Sequence, residues 1–282
     1  MNKINTKPEL SIIIAYFGSS KIKKVLNSFL SEKNLNLEVI LIDDNPSLIE
    51  KKYFTFTKDS RLKVIKNKIN IGPTNSFCLG IKISKGKFIL LSSDHDYFEK
   101  ISLKKIIKPL IKNDDFGASF CNFNEIDEKG KHVTKYYKKK TYFKYFYEKY
   151  SLMRILKFYL DPEYMGKANM FYSIFRKKLF DIKKFVMAHK YFGLNADRLF
   201  LFDFLQNNRI FIYKEKLFNV IVHNENFYKN RRIQKTSLLN YLFQQFSGYI
   251  FFSRNLIIKI IITILLPHKF YQLLLKKFFL KL

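Results

Sequence analysis

KGKFILLSSDHDYF, residues 85–98, runs from a glycine through an unbroken apolar stretch into two carboxylates that flank a histidine. An apolar run with no polar alternation is what a strand covered on both faces needs. The acids at its end raise an electrostatic question. The chain carries 52 Lys+Arg against 23 Asp+Glu, a formal net charge of +29, yet it gathers Asp94 and Asp96 at one turn. Like charges gather where a metal ion, a basic side chain or solvent relieves their repulsion.

Outward from this stretch the same pattern repeats. LSIIIAYF (10–17) reads as a buried strand broken by GSS, and LEVILIDD (37–44) as a second that ends in Asp43, Asp44 and the turn NPS. RLKVIK (61–66) is a short third strand, KFILL (87–91) a fourth, and FGASFCNF (116–123) a later one. Between them, Ile22, Val25, Leu26, Phe29 and Leu30 fall on one helix face. Pro73 starts a helix that reaches about Ser84, and residues 101–112 carry another helical pattern. Strands alternating with helices predict βαβ units and a mainly parallel sheet, with ligands beyond the carboxyl ends of the strands. Both acid pairs are therefore expected on one rim.

The remainder is less regular. Residues 131–150 hold seven Lys and eight Tyr or Phe and read as a long segment between two structured parts, an acceptor-side loop or a basic surface. ANMFYSIF (168–175) and RIFIY (209–213) read as strands, and 191–205 as a loop opening a helix. The tail 237–282 reads as helical, apolar and studded with lysines. It is interrupted by Lys259, Pro267, Lys269, Lys276 and Lys277, too broken to span a bilayer, which suits an interfacial helix pair on an anionic membrane surface; packing against the rest of the chain is the competing reading. No signal peptide is expected from the polar start MNKINTKPEL, and no membrane span, because no run of eighteen uncharged apolar residues occurs. Cys78 and Cys121 lie in apolar segments without C-x-x-C spacing and read as buried thiols. A charge of +29 attracts polyanions, so a nucleic-acid-binding protein is one candidate class, although part of the excess suits an AT-rich coding bias and an acid-lined rim repels a phosphate backbone.

The order of motifs resembles that of family 2 glycosyltransferases with the GT-A fold, over roughly residues 9–225. SIIIAYFG matches the family's first strand and turn, and IDDNPS its Asp-Asp-X-Ser. NIGPTNSFCLGIKISKGKFILLSSDHD matches its Asn-X-Gly, Gly-Ile and Asp-X-Asp. NADRLFL supplies an acid at a helix start and NVIVHN a late His. The resemblance implies a GT-A domain over 1–230, with a nucleotide-sugar half (9–125) and an acceptor half (126–230), and a tail (231–282) able to associate with membrane. It implies that Asp44 accepts a hydrogen bond from the nucleotide base with Asp43 beside it, that Phe17 or Tyr16 stacks on the base, and that Asn70 and Gly72 line the donor site. Asp94 is implied to reach the ribose or a metal-bound water, Asp96 to ligate the metal, His223 to lie near metal or diphosphate, and Asp197 to be the catalytic base.

The implied activity is inverting transfer of a sugar from a nucleotide-diphosphate donor to a glycan or lipid-linked acceptor, on the cytoplasmic face of a membrane, with Mn²⁺ or Mg²⁺. A hard divalent cation bound by one or two carboxylates and phosphate oxygens suits a departing diphosphate. No nucleic-acid partner is implied. Asp203, six residues after Asp197, is expected in the helix interior without a role in the chemistry. The sequence departs from the family at Ala15, Phe17, Phe77-Cys78 and Ala196, which bears on donor identity more than on reaction class. Nucleotidyl transfer on a related α/β fold is the competing enzymatic reading, but it calls for a Gly-rich basic loop where the chain has only GSS. Local structural roles compete too: Asp43 and Asp44 as turn caps, Asp197 as a helix N-terminal acid, and His223 as a hydrogen-bonded histidine.

Overall fold

The computed structural model describes residues 7–49, 51–133, 144–161, 166–222 and 238–279. The chain forms two compact units. The first comprises Met1–Val133, Tyr172–Phe180 and Phe211–Ile221, and the second Thr134–Phe171, Asp181–Ile210 and Val222–Leu282.

In the first unit, β1 (Leu10–Tyr16) lies between β2 (Leu37–Asp43) and β4 (Phe88–Ser92), with β3 (Leu62–Lys66) beyond β2, all parallel. Every residue of β2 and β4 is buried, which is why neither run alternates in polarity. The sheet continues through β5 (Tyr97–Phe98), β6 (Phe116–Ile126), β7 (Ile174–Arg176) and β8 (Arg209–Ile221) in the order β3-β2-β1-β4-β7-β6-β8-β5. β7 is antiparallel to both β4 and β6, and β5 is antiparallel to β8. Helices α1 (Ile22–Leu30), α2 (Gly72–Ile83) and α3 (Leu103–Lys112) flank it, so the fold is an α/β sheet whose βαβ half is parallel. The predicted face of α1 is the buried one. α2 packs on β1 through Gly80, where a Cβ would fall 2.2 Å from Ile13 Cγ2.

Distant side chains finish the ends of α3. Buried Glu32 accepts from Leu103 N at 2.6 Å, and Arg176 donates through Nη2 to Leu110 O and Asn113 O at 2.6 and 3.0 Å. These groups satisfy amides and carbonyls that a helix leaves without partners at its termini.

The second unit is helical among its described residues: α4 (Ser151–Leu160), α5 (Ile182–Phe192), α6 (Ala196–Asn207), α7 (Leu238–Phe252), α8 (Leu256–Ile264) and α9 (Leu266–Phe279). α6 is buried along Leu199–Gln206, and α4, α5 and α7 pack on it. Its cations are put to structural use. Buried Arg154 donates to Leu205 O and Glu148 O; burial, reinforced by the charge of Arg209, lowers its pKa to about 10. Lys167 donates to Phe158 O and Asp161 O, Lys269 to Asp161 O, and Gln272 to Leu160 O. The C-terminus of α4, the negative end of its dipole, is thus closed by two ammonium groups and an amide. No helix among the described residues is long and apolar enough to cross a membrane.

Three local expectations need correction. Of the strand read over 168–175 only Ile174 and Phe175 are extended, because Lys167–Tyr172 coils into a 3₁₀ turn that buries Met170 and Phe171. The strand read over 209–213 runs on to Ile221, its apolar signal interrupted by exposed Lys214, Glu215 and Lys216. Cys121 is buried as expected, whereas Cys78 is partly exposed, and both are free thiols.

Glu38 offers a test of the first unit. Its buried carboxylate accepts from Ser11 Oγ and Lys85 N at 2.7 Å and from Lys63 Nζ at 2.6 Å. Burial pushes its pKa up, but the bonds from Lys63, Ser11 and Lys85 outweigh it and hold the group below the usual carboxylate value. A depressed native pKa gives stability that is complete above the unfolded value of about 4.3 and is lost as pH falls through the lower native one. Glu38→Gln is therefore expected to lower Tm at pH 7 and to flatten the decline of Tm below about pH 5. Thermal melts of both proteins across that range provide the check.

Candidate active site

Because β1, β2 and β4 are parallel and adjacent, their carboxyl ends meet on one rim of the first unit, where an open parallel sheet holds its ligand. Asp94 binds the loop after β1: its Oδ2 accepts from Phe17 N at 2.9 Å and Ser19 N at 3.2 Å. Gly18 makes that wrap feasible, with φ +104° and a position where a Cβ would fall 3.0 Å from Leu48 Cδ2. On its other side Asp94 Oδ1 meets His95 Nδ1 at 3.1 Å, and His95 Nε2 stands 3.7 Å from Asp96 Oδ2. Asp96 accepts from Ile221 N at 2.7 Å and Ser93 Oγ at 3.0 Å. The acids of DHD are thus relieved by the histidine between them and by donors from the surrounding loops and strands. Burial pushes the Asp94 carboxyl up, yet His95 and the Phe17 and Ser19 amides hold it below the ordinary range, so it is ionised at neutral pH.

The acids of β2 are bound as firmly. Asp44 accepts from Asn67 Nδ2, Ile71 N and Gly72 N, all at 2.8 Å, and so caps α2 from 28 residues upstream. Gly72, with φ +81°, also donates to Asn70 Oδ1. Asp43 accepts from Tyr53 Oη at 2.7 Å and Lys51 Nζ at 3.0 Å. Burial and the bond to Asp43 push the Tyr53 hydroxyl well above its usual pKa. Lys51 and Tyr53 escaped the sequence reading; their signal was the apolar-basic KKYF eight residues beyond Asp43. Of the two aromatics expected to stack on a base, Tyr16 is fully buried, edge-on to Tyr53, while Phe17 is half exposed. Phe17 is the one that presents surface to a ligand.

The rim offers oxygen donors, the chemistry a hard divalent cation takes, but no closed cage. Among the described residues no three His, Cys, Asp or Glu groups converge on a metal position. The set fits an ion held by one or two carboxylates and completed by a ligand's phosphates. His223 lies outside the described residues, as do residues 134–143 of the aromatic-lysine segment.

Asp197 belongs to the second unit, in the first turn of α6, with its side chain 39% exposed and Oδ1 3.4 Å from His189 Nε2. The loop before it is anchored by buried Asn195, which accepts from Gln245 Nε2 of α7 at 3.2 Å. Asp203 lies in the interior of α6, where it was expected. It is buried and paired with Arg254 at 2.9 Å and Lys184 at 3.4 Å, so it holds α6 to the chain after α7 and to α5.

These environments predict opposite stability effects. Asp203→Asn strips a buried pair of its charge and is expected to lower Tm by several degrees, whereas Asp197→Asn changes an accessible group and leaves Tm nearly unchanged. Asp44→Ala strands three donors at the start of α2 and is expected to cost about 1–3 kcal/mol. Denaturant and thermal unfolding of the three variants decide both points.

A family model described as Glycosyl transferase family 2 matches residues 11–180, more than half the chain. An uncharacterized glycosyltransferase of Haemophilus influenzae is 30% identical over 125 residues, 43% of this chain and 39% of that protein. The Escherichia coli UDP-Glc:alpha-D-GlcNAc-diphosphoundecaprenol beta-1,3-glucosyltransferase WfaP is 32% identical over 87 residues, 31% of this chain and 35% of its own. The chain thus spans well under half the length of these two relatives. Among solved structures, S. aureus TarS 1-349 in complex with UDP-GlcNAc aligns with a TM-score of 0.61 at 16% identity, over 94% of this chain and 72% of that one. The same TarS fragment with UDP gives 0.52 at 18% identity, over 85% and 70%. At such identities the likeness speaks for the fold alone. With the family model covering residues 11–180, the chain belongs to glycosyl transferase family 2 and has the GT-A fold.

Proposed function

We propose that the chain transfers a sugar from a UDP-linked donor to a hydroxyl of a glycan or lipid-linked acceptor, with inversion. The observation that carries this reading is the rim itself: two acid pairs, the half-exposed Phe17 and the Gly72 turn sit at adjacent strand ends of one sheet. TarS with UDP-GlcNAc and WfaP with its UDP-Glc donor and diphosphoundecaprenol-linked acceptor support the choice of donor and acceptor class.

In this reading Phe17 stacks on the base, and Asp44, Asn70 and Gly72 hold the loop that lines it. Asp94 keeps the loop after β1 in place. Asp96, with Asp94 beside it, would hold Mg²⁺ or Mn²⁺, and His223 is assigned to its neighbourhood. When bound, such an ion neutralises charge on the departing diphosphate. Asp197 takes the acceptor proton as general base. Donor binding falls to residues 9–125 and acceptor recognition to 126–230, with 231–282 as a tail at the membrane that carries a lipid-linked acceptor. The nucleic-acid reading is weakened by the buried Arg154, Arg176, Lys167 and Lys269, whose charge serves backbone carbonyls.

Two variants test the assignment. UDP with Mn²⁺ is expected to raise Tm, as a ligand specific to the native state does. Asp96→Asn should abolish the Mn²⁺-dependent part of that shift, and an unchanged shift removes Asp96 from the metal site. Asp197→Asn is expected to bind UDP and Mn²⁺ like wild type but to turn over roughly 10²-fold more slowly or worse. Turnover near wild type would assign the base elsewhere.

A further inference from the structure

α8 has two apolar faces with different fates. Ile258 and Ile262 point inward and are buried, and Asn255 caps the helix by accepting from Ile258 N at 2.9 Å. On the outer side Leu256 is 70% exposed, Ile257 64%, Ile260 49% and Ile264 71%. At 100° per residue these four fall within one contiguous arc. In α9, Phe270 and Tyr271 are exposed as well. Single exposed apolar residues are ordinary, but a continuous patch marks an interaction surface.

The mount beneath this patch is firm. Arg254, just before α8, pairs with buried Asp203; Tyr159 Oη donates to Ile262 O at 3.4 Å; Lys269 and Gln272 bind the end of α4. The face is presented by a packed element, so it needs an occupant that accepts a preformed apolar ridge.

Charge selects the occupant. From Asn226 to Leu282 the sequence holds ten Lys or Arg and no Asp or Glu; Arg254 and Lys269 are held by Asp203 and by the end of α4, which leaves eight cations against no acid. A second copy would bring the same cations against these. A nucleic acid would find no use for an isoleucine ridge. A bilayer of anionic lipid meets both features, since it takes apolar side chains at the acyl boundary and cations among its headgroups. α8 has nine residues, about 14 Å at 1.5 Å per residue, against a hydrocarbon core of about 30 Å, so it lies in the interface plane.

We propose that the outer face of α8 is a docking surface for an anionic membrane leaflet. The proposal rests on the membrane role given to 231–282 above and narrows it to one helix face, while its test leaves UDP binding untouched.

The chain contains no Trp, so one introduced indole reports a single position. Full-length Ile260→Trp and Ile264→Trp are mixed with vesicles of phosphatidylcholine alone or with about a quarter phosphatidylglycerol. The expected result is a blue-shifted emission, quenched by brominated acyl chains, with the anionic vesicles only. Ile49→Trp, at a site 97% exposed in the first unit, is expected to show no shift. The triple variant Ile257→Glu/Ile260→Glu/Ile264→Glu should melt like wild type and partition onto anionic vesicles roughly tenfold less or worse. Either of two results overturns the proposal: indoles at 260 and 264 that stay in water beside anionic vesicles, or a triple variant that floats with them as wild type does. A wild-type dimer in light scattering that the triple variant disperses, without vesicle binding by either, overturns it in favour of a second copy.

Discussion

The carboxylate of Asp94, bonded to the amides of Phe17 and Ser19, ties the end of β4 to the loop that leaves β1. Asp44 does the equivalent work one strand over, joining the end of β2 to the start of α2 through Ile71, Gly72 and Asn67. In a parallel sheet the strand ends carry the ligand, yet the loops that follow them have no ladder to hold their amides. Acids at those ends supply the missing acceptors. The rim therefore comes pre-shaped, and its shape and its negative charge have one origin.

That origin changes how the acid pairs are to be read. A carboxylate bound by two or three donors is a poor candidate for the free, hydrated group that a motif alone suggests. It is also a fixed one, since stranding its donors costs about 1–3 kcal/mol. Positions thus fixed are the precondition for holding a ligand in one geometry. The buried cations follow the same logic with the sign reversed. Arg176 at the end of α3, Arg154 at the end of α6, and Lys167 and Lys269 at the end of α4 put positive charge on helix carbonyls. The strongly basic composition is in this part architectural.

The parallel half of the sheet was legible because its strands are covered on both faces and leave unbroken apolar runs. Asp43, Asp44, Asp94 and Asp96 were placed on one rim because parallel strands that end in acids allow little else. What stayed hidden was every long-range tie. Nothing in KKYF says that Lys51 and Tyr53 turn back onto Asp43, and nothing in SEK says that Glu32 caps a helix 71 residues later. Asp203 was placed inside its helix, but periodicity does not reveal the Arg254 that makes a buried carboxylate tolerable. β8 was cut short because its middle is exposed and charged while hydrogen bonding continues.

The C-terminal helices bring packing and exposure together in one unit. α7 lies so close to α6 that a Cβ on Gly248 would fall 2.4 Å from Leu199 Cδ1, and Gln245 bonds the Asn195 that precedes Asp197. Arg254 then links the chain after α7 to Asp203 on the same helix. The inner face of α7 and the link after it are therefore part of what positions α6, and they cannot be removed without disturbing the turn that carries Asp197. The outer face of α8, by contrast, is exposed. An exposed apolar surface there, in a stretch with cations and no acid, is better explained by what it meets outside the protein than by what it supports within.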